Sequence, residues 1–404
     1  MNKQNVANLL SKLRGRMMLP GLIVSLISIL ALQQRSHFGD SLAKHTNESQ
    51  SSEKRRTPKQ RRTATGYFED LNGLFRICLR GKWGCGDRSG KVVIYPRFDR
   101  LGYFSDGQAP VSIDGSYGFI DETGQIVTSL QFEYASPYVE GFAAVKVNGK
   151  WGFIDKTGQE TVSAHFDRVG HFSEGFSVVQ TGNGVGYCDS RGSLIINLKY
   201  EDGGDFSEGL ARVKSGGKWG YVNSAGEQVV TPQFEKAFDF GNGLARVEVG
   251  TNWGFLNQRG GFSIKPQFQN AFDFSEGLAG VQKDGKYGFV DNQGTAVVPF
   301  MFDAVRDFAE GLAAVKVNGK WGFIDKTGML KIPARFDVAL DFSENMAQVE
   351  NDRKRGYVDK LGTIIIQPRQ WFTFPFIDGL AEVQFNGKVG YINQFGEFAI
   401  ALRK

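Results

Sequence analysis

The sequence predicts an all-β chain of tandem three-stranded antiparallel β-meanders, stacked face to face as an open superhelical array. The alternative is a closed propeller-like ring, and either is preceded by an N-terminal hydrophobic helix. Three observations predict this. A Trp-Gly or Tyr-Gly pair recurs every 34 residues, with the aromatic at Trp83, Tyr117, Trp151, Trp219, Trp253, Tyr287 and Trp321. The phase runs on through Val185, Arg355 and Val389, where only the glycine stays, giving ten copies without insertion or deletion. An unbroken period of this length means one supersecondary unit stacked on copies of itself. Most copies also carry a hairpin signal, and both faces of that hairpin are apolar.

The chain opens with a basic segment, residues 1–16, holding Lys3, Lys12, Arg14 and Arg16. An uncharged run from Met17 to Leu32 follows. Basic residues before an apolar stretch are the grammar of a signal anchor or a signal peptide. Sixteen residues make a helix of roughly 24 Å, short of a ~30 Å hydrocarbon core, and snorkelling by Arg16 and Arg35 can make up the difference. The cleavage site is poorly formed, with Ala31 the best candidate, so an uncleaved membrane anchor is favoured over a secreted product or a buried helix. Positive-inside orientation then puts the array on the non-cytoplasmic side. Residues 33–66 read as a disordered basic linker, polar from Asn47 to Thr65, with Lys54, Arg55, Arg56, Lys59, Arg61 and Arg62 clustered. The array occupies 67–404.

The third copy shows the unit. An apolar run ends at Val147, Asn148-Gly149 follows, and a second run begins at Lys150. Asn-Gly between two such runs is a strong hairpin signal because both residues tolerate positive φ. Asp114-Gly115, Gly216-Gly217, Asp284-Gly285, Asn318-Gly319 and Asn386-Gly387 are its equivalents. The second strand ends at Asp155, and Asp-x-x-Gly to Gly158 suits a turn in which the carboxylate bonds the backbone and glycine turns left-handed. A short third strand follows, and about ten residues then lead to Phe-Ser-Glu-Gly, as at Phe172 to Gly175. A two-residue turn pairs Val147 with Lys150, Val145 with Gly152 and Ala143 with Ile154. One face is therefore small (Ala143, Val145, Gly152, Ile154) and the other aromatic (Phe142, Trp151, Phe153). Neither is polar, so each unit must pack its aromatic face on the small face of the next.

Composition narrows the function. Residues 1–66 hold twelve Lys or Arg against three Asp or Glu, and the remainder 36 against 40, a net of −4. No nucleic-acid partner is expected for a slightly acidic array, because phosphate binding needs a basic stripe. Three cysteines are too few for a disulfide framework and read as structural thiols. No catalytic, cofactor-binding or metal-ligating constellation is found. His165 and His171 lack a third ligand nearby and read as surface residues. The recurring Glu140, Glu174, Glu208, Glu276, Glu310 and Glu344, and the Asp155 row, read as acceptors for turn backbone rather than calcium ligands. The tryptophans read as core rather than a sugar-stacking platform.

The motif Asn148-Gly149-Lys150-Trp151-Gly152-Phe153-Ile154-Asp155 with Gly158, then Phe166 and Phe-Ser-Glu-Gly, resembles the WG-repeat family, also called KWG repeats. The resemblance covers most of the chain from about residue 67. It implies tandem β-repeats, common in bacterial proteins, with no established general activity and no catalytic residues. Val185, Arg355 and Val389 depart from it, as does Cys85 in place of Phe or Tyr. The expected function is a non-enzymatic scaffold tethered to a bacterial membrane through Met17–Leu32, binding another protein in the cell envelope; the alternative is a module for cell-wall polymer or glycan. The candidate partner-binding residues are Arg212, Arg246, Gln348 and Glu382, which share one row and differ between copies.

Overall fold

The computed structural model describes residues 73–403 apart from Gly387, and side chains as far as Ile400. The expected basic segment, hydrophobic helix and linker lie outside the described residues. Every regular element described is a strand, and the strands form ten separate antiparallel sheets, called blades 1–10 in chain order.

Blade 3 is representative, with strands Tyr134–Ala135, Phe142–Val147, Lys150–Asp155 and Glu160–Phe166 side by side in that order. The central hairpin has the expected register, Val147↔Lys150, Val145↔Gly152 and Ala143↔Ile154. Its turn has the expected backbone, with φ of 50° at Asn148 and 76° at Gly149. The next turn is also as expected. Asp155 Oδ1 accepts from Thr157 N at 2.8 Å and Gln159 N at 3.0 Å, and Gly158 takes a φ of 82°.

Two features correct the sequence reading. Nine blades are four-stranded, not three-stranded, and blade 1 has three strands among the described residues. The extra strand comes from the connecting segment, where Tyr134 and Ala135 pair with Lys146 and Val145. In six blades this strand has two residues, too few to display an alternating pattern, and in blades 8–10 it has six. The glycine of Trp-Gly is the second. Pairing of the last two strands jumps from Trp151↔Phe166 to Phe153↔Val162. This bulge pushes the outer strand over Gly152, where a Cβ would stand 2.4 Å from Val162 O. The glycine is there for clearance, not for its place on a small face.

Blades pack as expected, aromatic face on small face. Phe153, Val162 and Phe166 of blade 3 share a core with Phe172, Val179 and Cys188 of blade 4. A tilted or edge-on aromatic pair marks most joints, such as Phe153–Phe172 with centroids 4.7 Å apart.

The array closes, which corrects the open superhelix in favour of the ring. Phe75 and Ile77 of blade 1 share a core with Leu380, Tyr391 and Ile400 of blade 10, and the Phe75 and Tyr391 rings are 5.1 Å apart. Gly90, in the last turn of blade 1, meets Ala399 O of blade 10, just as Gly158 meets Thr128 of blade 2. Closure is the sum of ten small rotations between sheets, and no local sequence pattern encodes that sum.

Candidate functional site

Antiparallel order gives each blade two ends. One carries the turn joining strands two and three and the link to the next blade. The other carries the remaining two turns.

At the second end, the turn between strands one and two holds the glutamate row, and each glutamate has an unfavourable positive φ, 54° at Glu140. The row behaves as the sequence suggests, with one addition: the donors belong to the next blade. Glu140 accepts from Glu174 N and Gly175 N, both at 2.9 Å. Glu174 accepts from Glu208 N at 2.7 Å and Gly209 N at 2.8 Å. Glu310 and Glu344 repeat the contact on Asn345 N and Gly379 N at 2.9 and 2.8 Å. In blade 6 Asn242 donates instead, to Phe274 O at 2.8 Å. Nearby, Ser173 Oγ donates to Phe206 O at 2.7 Å and Ser207 Oγ to Phe240 O at 2.6 Å. A hydrogen-bonded belt thus staples successive blades, and the carboxylates are consumed by it.

The row proposed for partner binding lies inside the joints. Arg212 Nε donates to Asp239 Oδ1 of the next blade at 2.7 Å, and Nη1 to Ala237 O at 3.2 Å. The two side chains are only 18% and 12% exposed. Burial opposes the Arg212 charge, but Asp239 more than offsets it and raises the guanidinium above its ordinary pKa. Arg246 repeats this on Asp273 at 2.7 Å and Ala271 O at 2.8 Å, with its guanidinium 3.5 Å from the Phe238 ring centroid. Gln348 is buried. Where the arginine is replaced by Val178, the carboxylate of the next blade, Asp205, has His171 Nε2 at 3.0 Å. That histidine is half-buried between blades, not at the surface.

Glu382 takes the same row to the closing joint. Arg76 of blade 1 donates to Tyr103 Oη at 2.5 Å and Leu101 O at 3.3 Å, matching Arg212 with a phenol where an aspartate would stand. Its carboxylate comes from the other side: Glu382 Oε2 is 3.8 Å away. Glu382 also accepts from Tyr391 Oη at 3.1 Å and Gln384 Nε2 at 2.6 Å. Burial first, then Glu382, pushes the Tyr391 phenol up. Beside them a cavity of about 60 Å³ is lined by Leu74, Phe75, Tyr103, Ile377 and Leu380. That is room for a few waters, against the roughly 300–1,000 Å³ of small-molecule sites.

Trp253 is 6% exposed, whereas Trp83, Trp151, Trp219 and Trp321 are half-buried at the first end of their blades. Cys78, Cys85 and Cys188 form no disulfide, and burial pushes the Cys188 thiol up to about 12. No cluster of three His, Cys, Asp or Glu able to hold a metal occurs among the described residues. Sequence reading missed the staple and the buried ion pairs. A usable signal exists for the pairs, since Arg212–Asp239 and Arg246–Asp273 share one spacing of 27 residues.

A closed ring of repeated antiparallel blades, joined by buried polar rows, defines a propeller-like repeat protein. The chain belongs to the WG-repeat family: the WG containing repeat matches residues 83–117, 117–151, 151–184, 186–219, 219–251, 253–287, 287–321, 321–354 and 356–388. Each matched segment runs from the third strand of one blade to that of the next. No curated protein sequence matches the chain. Among solved structures it is similar to a crystal structure of the eukaryotic initiation factor, at 10% identity and a TM-score of 0.50, over 74% of this chain and 98% of that one. It is also similar to Hsv2 from Kluyveromyces lactis, at 10% identity, 57% and 95% coverage and a TM-score of 0.35. A third is the dihydro-heme d1 dehydrogenase NirN in complex with DHE, at 13% identity, 78% and 77% coverage and a TM-score of 0.35. At 10% identity the likeness to the first of these concerns the fold alone.

Proposed function

We propose that this protein is a non-enzymatic ring scaffold, tethered to a bacterial membrane through Met17–Leu32 with its blades on the non-cytoplasmic side, that binds another protein in the cell envelope. The observation that carries this reading is the fate of the polar rows. The recurring carboxylates and the arginine row are spent on blade-to-blade bonds, leaving variable turn residues as the chemistry offered outward. A propeller-like ring of that kind presents two broad faces suited to macromolecular contact. The net charge of −4 in the array argues against a polyanionic partner.

The half-burial of Trp151, Trp219 and Trp321 favours a second reading, in which these ring edges stack on cell-wall glycan. A pull-down from solubilised membranes, run beside a glycan-binding assay, tests both. Stoichiometric capture of a protein supports the scaffold. Glycan binding lost in Trp151→Ala without loss of folding supports the second reading and sinks the first. Retention in the membrane after carbonate washing tests the anchor, and a shorter released chain beginning near Leu32 would replace it with a cleaved signal peptide.

A further inference from the structure

We infer that the ring rests on a lipid surface along the rim formed by blades 8–10 at one end, with Met329, Leu361 and Phe395 entering the boundary between headgroups and acyl chains. The inference deepens the proposed membrane tethering and rests on it. Leu361 and Phe395 occupy one position in the last turn of blades 9 and 10, and are 86% and 79% exposed. The eight preceding blades carry Ser, Thr, Arg, Ala or Gln there, from Ser89 to Thr327. Blade 8 adds Met329, two residues further on and 60% exposed. Long apolar side chains at turn tips serve no joint, and three neighbouring blades share them.

The topology says what covers them. The turn between strands three and four lies at the same end of a blade as the turn between strands one and two. Gly73, the first described residue, occupies the latter turn in blade 1, in phase with Gly107 of blade 2. Blade 1 adjoins blade 10 through Arg88 and Asp378, 3.3 Å apart at this end. The N-terminal segment therefore joins the ring on the face that bears the apolar tips, one blade from Phe395. Forty residues lie between Leu32 and Gly73, which confines the ring to within about 140 Å of an anchored run whatever path they take. Weak contacts then act at high local concentration. Lys326 and Lys360, beside the tips, are already paired with Glu276 and Glu310, each at 3.1 Å. Contact is accordingly apolar, needs no anionic lipid and resists salt.

The test uses the full chain in phosphatidylcholine vesicles with brominated acyl chains. Phe395→Cys, Leu361→Cys and Arg191→Cys are each labelled with a fluorophore in a Cys78→Ser background. The expected result is vesicle flotation of all three, with several-fold stronger quenching at positions 361 and 395 than at 191, unchanged at 0.5 M salt. Flotation with no quenching at 361 and 395 overturns the inference and leaves the anchor standing. Failure to float overturns both. Equal quenching at 191 overturns the oriented contact. Shielding of the 361 and 395 labels from aqueous iodide without vesicles assigns the tips to a second copy of the chain and overturns the lipid assignment.

Discussion

The joint between blades 5 and 6 and the joint between blades 10 and 1 use the same rows and close differently. In the first, a continuous chain passes between blades, Arg212 meets Asp239 at 2.7 Å, and the Tyr221 and Phe240 rings meet edge to face with centroids 5.0 Å apart. In the second, no peptide crosses from blade 10. The arginine and carboxylate are 3.8 Å apart, Tyr391 meets Phe75 of the second strand edge-on instead, and a cavity adjoins them. Among the departures from the motif, Val389 packs against the core of this joint, whereas Cys85 faces blade 2 and Val185 and Arg355 lie in blades 4 and 9. The difference teaches that the repeat supplies the same rows to every joint, while the residues filling those rows, Arg212 on Asp239 in one and Arg76 near Glu382 in the other, decide how each joint is held. In a ring of nearest-neighbour contacts, the joint without a covalent link is where opening starts.

The largest effect is expected from Arg212→Ala. It removes the guanidinium from a carboxylate that is 12% exposed, at a cost of about 3–5 kcal/mol in urea unfolding. A loss below about 0.5 kcal/mol, typical of a free surface residue, would mean that the row faces solvent. Arg76→Ala is expected to cost less, about 1–3 kcal/mol, because Glu382 keeps its bonds from Tyr391 and Gln384. Equal costs at the two joints would erase the distinction drawn between them. Hydrogen exchange sharpens it: Arg76→Ala should speed exchange in blades 10 and 1 first, and uniform acceleration around the ring would contradict a weak seam.

A smaller loss, about 1–2 kcal/mol, is expected for Glu174→Ala, which removes both staple bonds onto blade 5 at an exposed turn. The mildest effect belongs to acid, and it should not distinguish the joints. The Thr157 hydroxyl, with backbone N–H groups, holds the Asp155 carboxyl below its ordinary range, and Ser89 and Thr123 do the same for Asp87 and Asp121. A folded pKa below the unfolded value gives stability that is present above about pH 4 and is lost as pH falls through the folded pKa. Thermal unfolding between pH 7 and pH 2 checks this. A midpoint that rises on acidification would invert the sign.

Much of one blade was legible from the residues. Asn148-Gly149 gives the hairpin because two adjacent positive φ angles suit few other pairs, and the register of Val145 on Gly152 follows from a two-residue turn. Asp155 and Gly158 give the next turn by local hydrogen bonding. Two apolar faces demand stacking, and the structure stacks them in the expected order. The candidate row was legible only as a row. Its variation looked like a surface, because a sequence does not show that Arg212 and Asp239, 27 residues apart, meet in a neighbouring blade.

The sequence by itself determined the period, the central hairpin, the turns and the choice of which face meets which. These depend on contacts within a few residues or on which side of a strand a side chain points. Tertiary structure alone decided the fourth strand, the staple of Glu140 onto Glu174, the burial of Arg212 and the closing of Phe75 on Tyr391. Each of these depends on how far one sheet rotates and slides against the next. That rotation is a small quantity shared among many packing contacts, and only its accumulation over ten blades returns the last sheet to the first.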